Sequence, residues 1–72
     1  MTTRRERQLV QEGEYLAEVD VDLIVTDDVW SPYLSDTDAR KLDAVRRALI
    51  QGDIAAAAKQ SRVFRLTPVH AA

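Results

Sequence analysis

The sequence predicts a small α+β domain of strand–helix–helix–strand order, with a two- or three-stranded sheet and two helices on one face. Three observations carry that expectation. Residues Tyr15 to Val25 alternate apolar and acidic side chains with period two. A capped stripe of helical spacing runs from Ser35 to Gly52. The chain then returns to β-type composition at Arg62-Val63-Phe64-Arg65-Leu66-Thr67, ahead of Pro68.

Residues 1–12 read as a flexible basic N-terminal segment, with 1–7 a frayed tail. Leu9 and Val10 are its only adjacent apolar pair, and residues 8–12 have the alternative of extending the sheet through a turn near Gly13. The folded domain is then expected over 13–69, with 70–72 a tail. In the strand that follows, Tyr15, Ala17, Val19, Val21, Leu23 and Val25 share one parity, and Glu18, Asp20 and Asp22 the other. A half-buried strand has this pattern, whereas a helix would scatter the same residues round its circumference. Leu16 and Ile24 interrupt the polar parity at its two ends.

Pro32 pushes Ser31 towards extended geometry, so Val29 to Leu34 reads as a connection. Trp30 and Tyr33 within it are expected to lid the core, each keeping its polar tip accessible. Ser35 is placed to cap a helix, with Asp38 completing a capping-box-like pair three residues on. Ala39, Leu42, Val45, Ala48 and Leu49 form the apolar stripe. Asp36 with Arg40, and Asp43 with Arg47, are i,i+4 pairs in the favourable order. Gly52 supplies a left-handed stop, and Asp53 caps a second helix from Ile54 to about Gln60. In the last strand, Phe64 and Leu66 are expected to face the core.

Composition narrows the chemistry. A chain of 72 residues is one domain, and it buries only about 60% of the surface its unfolded form exposes. It has no cysteine and one histidine, His70 near the end. Disulfides, Cys-based zinc sites and thiol chemistry are therefore excluded, and no His-built metal site or nucleophile–base pair is expected. Gly13 and Gly52 stand alone, so there is no phosphate-cradling loop. Asp27-Asp28 lacks the spacing and glycine of a calcium loop. No enzyme activity, cofactor or metal is anticipated. No apolar run approaches the roughly 18 residues of a membrane span, and no apolar segment follows the basic start, so cytoplasmic residence is the expectation.

The net charge of −2 conceals segregation. From Glu14 to Asp38 there are eight acids and no Lys or Arg; from Ala39 onward there are seven bases against Asp43 and Asp53. Either the two halves neutralise one another in the fold, or they form separate recognition surfaces. In the second case Glu18, Asp20, Asp22, Asp27 and Asp28 would meet a basic protein, with Trp30 and Tyr33 as anchors. Arg46, Arg47, Arg62 and Arg65, with Lys59, are the candidate nucleic-acid contacts. This is the weaker alternative, because the alanine-rich second helix offers little that reads base edges. A two-stranded sheet also leaves edges that invite a strand from another chain.

Trp30-Ser31-Pro32-Tyr33-Leu34-Ser35, Lys41-Leu42-Asp43-Ala44-Val45-Arg46, Gly52-Asp53-Ile54 and Arg62-Val63-Phe64-Arg65-Leu66-Thr67-Pro68-Val69 form a set. It resembles a group of short prokaryotic proteins, many of which look like the small antitoxin-type partners of two-gene toxin–antitoxin modules. The resemblance covers residues 14–69 and leaves out the basic start. It implies neutralisation by binding, in which the chain occludes a basic or catalytic groove of a toxin. It brings no catalytic residues. The expectation is thus a non-catalytic protein-binding domain that acts as a homo- or hetero-oligomer, with an oligomer-forming structural domain or a small DNA-binding regulator as the alternatives.

Overall fold

A computed structural model describes residues 2–27 and 31–70. The chain order is β1 (Thr2–Glu12), β2 (Tyr15–Val25), β3 (Tyr33–Leu34), α1 (Asp36–Ile50), α2 (Ile54–Ala58) and β4 (Arg62–Arg65). All four strands join one antiparallel sheet, and both helices lie on one of its faces. The α+β architecture and the strand–helix–helix–strand core match the sequence expectation. The sheet is larger than expected, four strands instead of two or three.

Two strands go beyond that expectation: β3, which lies in the stretch read as a connection, and β1, of which only residues 8–12 were given as an alternative extension of the sheet. The basic segment expected to be a flexible tail pairs along its whole length with β2, from Thr2 opposite Val25 to Glu12 opposite Tyr15. Gly13 makes the reversal with a φ of 59°, a conformation that costs glycine nothing and other residues a Cβ clash. A two-residue connection of this kind locks the register of both strands. Only Val10 of β1 is fully buried, which is why apolar periodicity failed to mark it as a strand.

The other edge of β2 is shared. β4 pairs with its start, Glu18 opposite Arg62 through Tyr15 opposite Arg65. β3 pairs with its end, Leu23 opposite Leu34 and Ile24 opposite Tyr33. Between them the backbone of β2 has no strand neighbour among the described residues, and α1 supplies side chains instead. The Asp38 carboxylate accepts the Asp22 N–H at 2.7 Å, and the Lys41 ammonium donates to the Asp20 carbonyl at 2.8 Å. Backbone groups turned away from water must find such partners. Ser35 does cap α1 by accepting the Asp38 N–H, so one half of the expected box forms. The Asp38 side chain itself closes the sheet.

The core follows the alternation of β2. Ala17, Val19 and Val21 are buried on the helix side and meet Val10 of β1, Val45, Ala48 and Leu49 of α1, and Ala57 of α2. Gly52, at φ 77°, redirects the chain between the helices, and Asp53 caps α2 by accepting the Ala56 N–H at 3.1 Å. Of the two helix-surface pairs expected, Asp43–Arg47 closes at 3.0 Å.

Three side chains, those of Phe64, Leu66 and Tyr33, point otherwise than expected. Phe64 and Leu66 do not face the core: Val63 opposite Ala17 takes the inward parity, which turns Phe64 outward opposite Leu16. Three apolar residues, Val63, Phe64 and Leu66, lie on both parities, so only the register decides which set is buried. Tyr33 pairs with Ile24 and stands on the sheet's outer side, 44% exposed, while Leu34 packs on the core. Tyr33 is therefore no lid on the helix-side core. Trp30 and Asp28 lie outside the described residues.

The molecule is thin and open for its size. Its principal extents are 49 × 31 × 14 Å, one sheet and one helix layer deep. Its radius of gyration is 14.6 Å, against about 11 Å for a closely packed chain of this length. No helix among the described residues is long and apolar enough to cross a membrane.

Candidate functional site: the open face of the sheet

With both helices on one side, no helix or strand among the described residues covers the other face of the sheet. Strand parity assigns its residues. Leu16, Glu18, Asp20, Asp22 and Ile24 of β2 point outward, flanked by Arg5, Arg7 and Leu9 of β1 and by Arg62 and Phe64 of β4.

The centre of this face is a cross-strand charge ladder. Arg62 donates to Glu18 at 3.0 Å and reaches both Asp20 oxygens at 3.3 and 3.4 Å. Arg7 lies 3.5 Å from the other Glu18 oxygen, and Arg5 lies 3.2 Å from Asp22. Glu18 is thus held between β1 and β4. The Arg62 hydrogen bond, helped by the charges of Arg62, Arg5 and Arg7 and opposed by partial burial, lowers the Asp20 pKa below 3.8. The same bonds to Asp20 and Glu18 raise the Arg62 pKa above its ordinary value. Opposite charges on neighbouring strands fix register more than they add stability at an exposed surface.

Apolar side chains flank the ladder. At the turn end, Leu9 is 59% exposed and Phe64 47%, beside half-buried Leu16. Leu66, 38% exposed, continues β4 with its N–H donated to the Glu14 carbonyl at 2.6 Å. At the far end stand Ile24 and Tyr33. The face therefore reads apolar, charged, apolar along the strands. Surfaces that bind other proteins combine exposed apolar side chains with a polar surround in this way.

The expected site residues fall as follows. Glu18, Asp20 and Asp22 do lie together on one face, but each is paired with an arginine of the same chain. Asp27 is exposed just beyond β2, and Tyr33 stands on the same open face as the acids. The basic residues do not form one surface. Arg46 contacts Glu12 at 3.6 Å, and Arg47 contacts Asp43. Arg62 is on the open face. Arg65 is on the helix side, donating to the Tyr15 hydroxyl at 3.1 Å with its guanidinium 5.6 Å from the ring centre.

Arg5, Arg7, Leu9, Phe64 and Leu66 were not foreseen as members of the site. A signal existed: counting back from a turn at Gly13 places Arg7 beside Asp20 and Glu18, and Arg5 beside Asp22. The described residues contain no pocket and no grouping of metal-ligating side chains. Comparison with protein-family models, curated proteins and solved structures returns no match for this chain.

Proposed function

We propose that this chain is a non-catalytic protein-binding domain whose open sheet face docks a protein partner, and that it silences that partner by occupying its surface, as an antitoxin does. The observation that supports this most is the one-sided sheet, which leaves Leu9, Phe64 and Leu66 in water beside a charge ladder. The chain presents 5526 Å² at 8.1 kDa, where a monomer of that mass is expected to present about 4500 Å². The excess of about 1000 Å² is spread over an extended chain, with the open face, the β1 edge and the exposed residues after β4 all contributing.

In this proposal recognition begins with the apolar ends and not with bare acids. A basic partner would exchange its own arginines or lysines for Arg5, Arg7 or Arg62 against Glu18, Asp20 and Asp22. The dispersion of Arg46, Arg47, Arg62 and Arg65 over different sides gives less support to a nucleic-acid reader, which needs a continuous basic track. The test is co-expression with the product of the adjacent gene, followed by pull-down of wild type and of the double variant Leu9→Ser, Phe64→Ser. Capture by wild type and loss with the variant supports the proposal. Equal capture by both, or none by wild type, overturns it.

A further inference from the structure

We infer that two copies of this chain pair through the free edges of β1, antiparallel about Gln8, to make one continuous sheet. The backbone parity follows from the bonds already described. Asp22 N–H and the Asp20 carbonyl turn towards α1, so the even residues of β2 face away from β1 and the odd ones face it. Tyr15 opposes Glu12, so the even residues of β1 bond β2. Thr3, Arg5, Arg7, Leu9 and Gln11 then direct their N–H and C=O groups to the edge that no strand among the described residues occupies. An eleven-residue edge of this kind is a template for another strand.

Charge selects the register. A two-fold axis normal to the sheet keeps both helix layers on one side and requires facing residues of equal parity. Among such registers that pair more than half of β1, centring on Glu6 sets Arg5 against the second copy's Arg7, and centring on Arg5 or Arg7 sets that arginine against itself. Centring on Leu9 sets Glu6 against Glu12. Centring on Gln8 opposes no like charges and puts Arg4 against Glu12 twice, with Arg5 facing Gln11 and Arg7 facing Leu9. The arginines that guard this edge against indiscriminate pairing thereby admit one arrangement. It leaves the open faces of both copies side by side, and it buries none of the charge ladder, which stacking those faces would do at a desolvation cost.

The test uses the absence of cysteine. Gln8 would oppose its own copy as a non-hydrogen-bonded pair, with Cα atoms about 4.5 Å apart, within the range a disulfide spans. Gln8→Cys, Arg7→Cys and Leu9→Cys are each oxidised at micromolar concentration, with light scattering on the unmodified chain alongside. Expected are a dimer for the unmodified chain and cross-linking of Gln8→Cys at least about tenfold faster than of the other two, because the paired thiols have a high effective concentration. A monomeric unmodified chain overturns the inference, as does Arg7→Cys or Leu9→Cys cross-linking as fast as Gln8→Cys. No partner protein is present, so the outcome is independent of the proposed docking on the open face.

Discussion

Asp38 is the most informative single residue for the fold, because one carboxylate joins α1 to the uncapped stretch of β2. It accepts the Asp22 N–H at 2.7 Å. Asp38→Ala would leave that backbone donor without its partner in a half-buried position. A hydrogen bond to a charged group contributes about 1.5–3 kcal/mol, and an orphaned donor costs about 1–3 kcal/mol. Partial exposure places the expected loss near the lower end, about 1.5–2 kcal/mol. For a domain of this size each kcal/mol moves the midpoint by about 4–8 °C, so thermal unfolding followed by circular dichroism should shift by roughly 6–16 °C. Asp38→Asn keeps an acceptor oxygen but loses the charge, and should lose about half as much. Asp36→Ala is the control, since Asp36 is also in the first helical turn but is exposed; it should cost only the dipole interaction, about 0.3–1 kcal/mol. An Asp38→Ala shift no larger than that of Asp36→Ala would refute the claim that α1 side chains close the sheet.

Three further outcomes follow from the same structure. Asp20 has a folded pKa lowered by Arg62, so its contribution is present above the unfolded value near 4 and is lost as pH falls through the folded pKa. Acid titration of stability should show Asp20→Asn below wild type by a constant margin at neutral pH, with a shallower decline than wild type below pH 4 as that margin closes; curves that stay parallel through that range would contradict the Arg62 pairing. Val45 is fully buried, so Val45→Ala should cost about 2 kcal/mol, whereas Phe64→Ser on the open face should cost much less; denaturant midpoints compare the two. Removal of residues 2–12 should abolish cooperative unfolding, since it strips Val10 from the core and uncovers one edge of β2 along its full length; a truncated chain that still melts sharply would show β1 to be dispensable.

How much of this was legible depended on how many residues carried each signal. β2 repeats its alternation over eleven residues, and tertiary context had no competing parity to choose. Ser35, Gly52 and Asp53 act through local backbone geometry, so they too could be read one at a time. β1 was obscured because its inward positions are Thr2, Arg4, Glu6, Gln8 and Glu12 as well as Val10, with no apolar period. Its strand conformation is specified by a partner strand and a glycine turn. β4 is only four residues long, and its mixed parity left Val63 and Phe64 indistinguishable until Ala17 and Leu16 set the register. The acids were correctly placed on one face. Their neutralisation was visible only once β1 and β4 lay beside β2, because sequence distance hides cross-strand pairs.

The central claim is that the sheet face opposite the helices is the recognition surface. Amide and methyl NMR spectra of the labelled chain, titrated with the product of the adjacent gene, test it most directly. Binding on that face should concentrate shifts at Leu9, Leu16, Glu18, Phe64 and Leu66, with the outer side of α1 around Asp43 and Arg47 unmoved. Shifts confined to α1 and α2, or an unchanged spectrum at saturating partner, would contradict it.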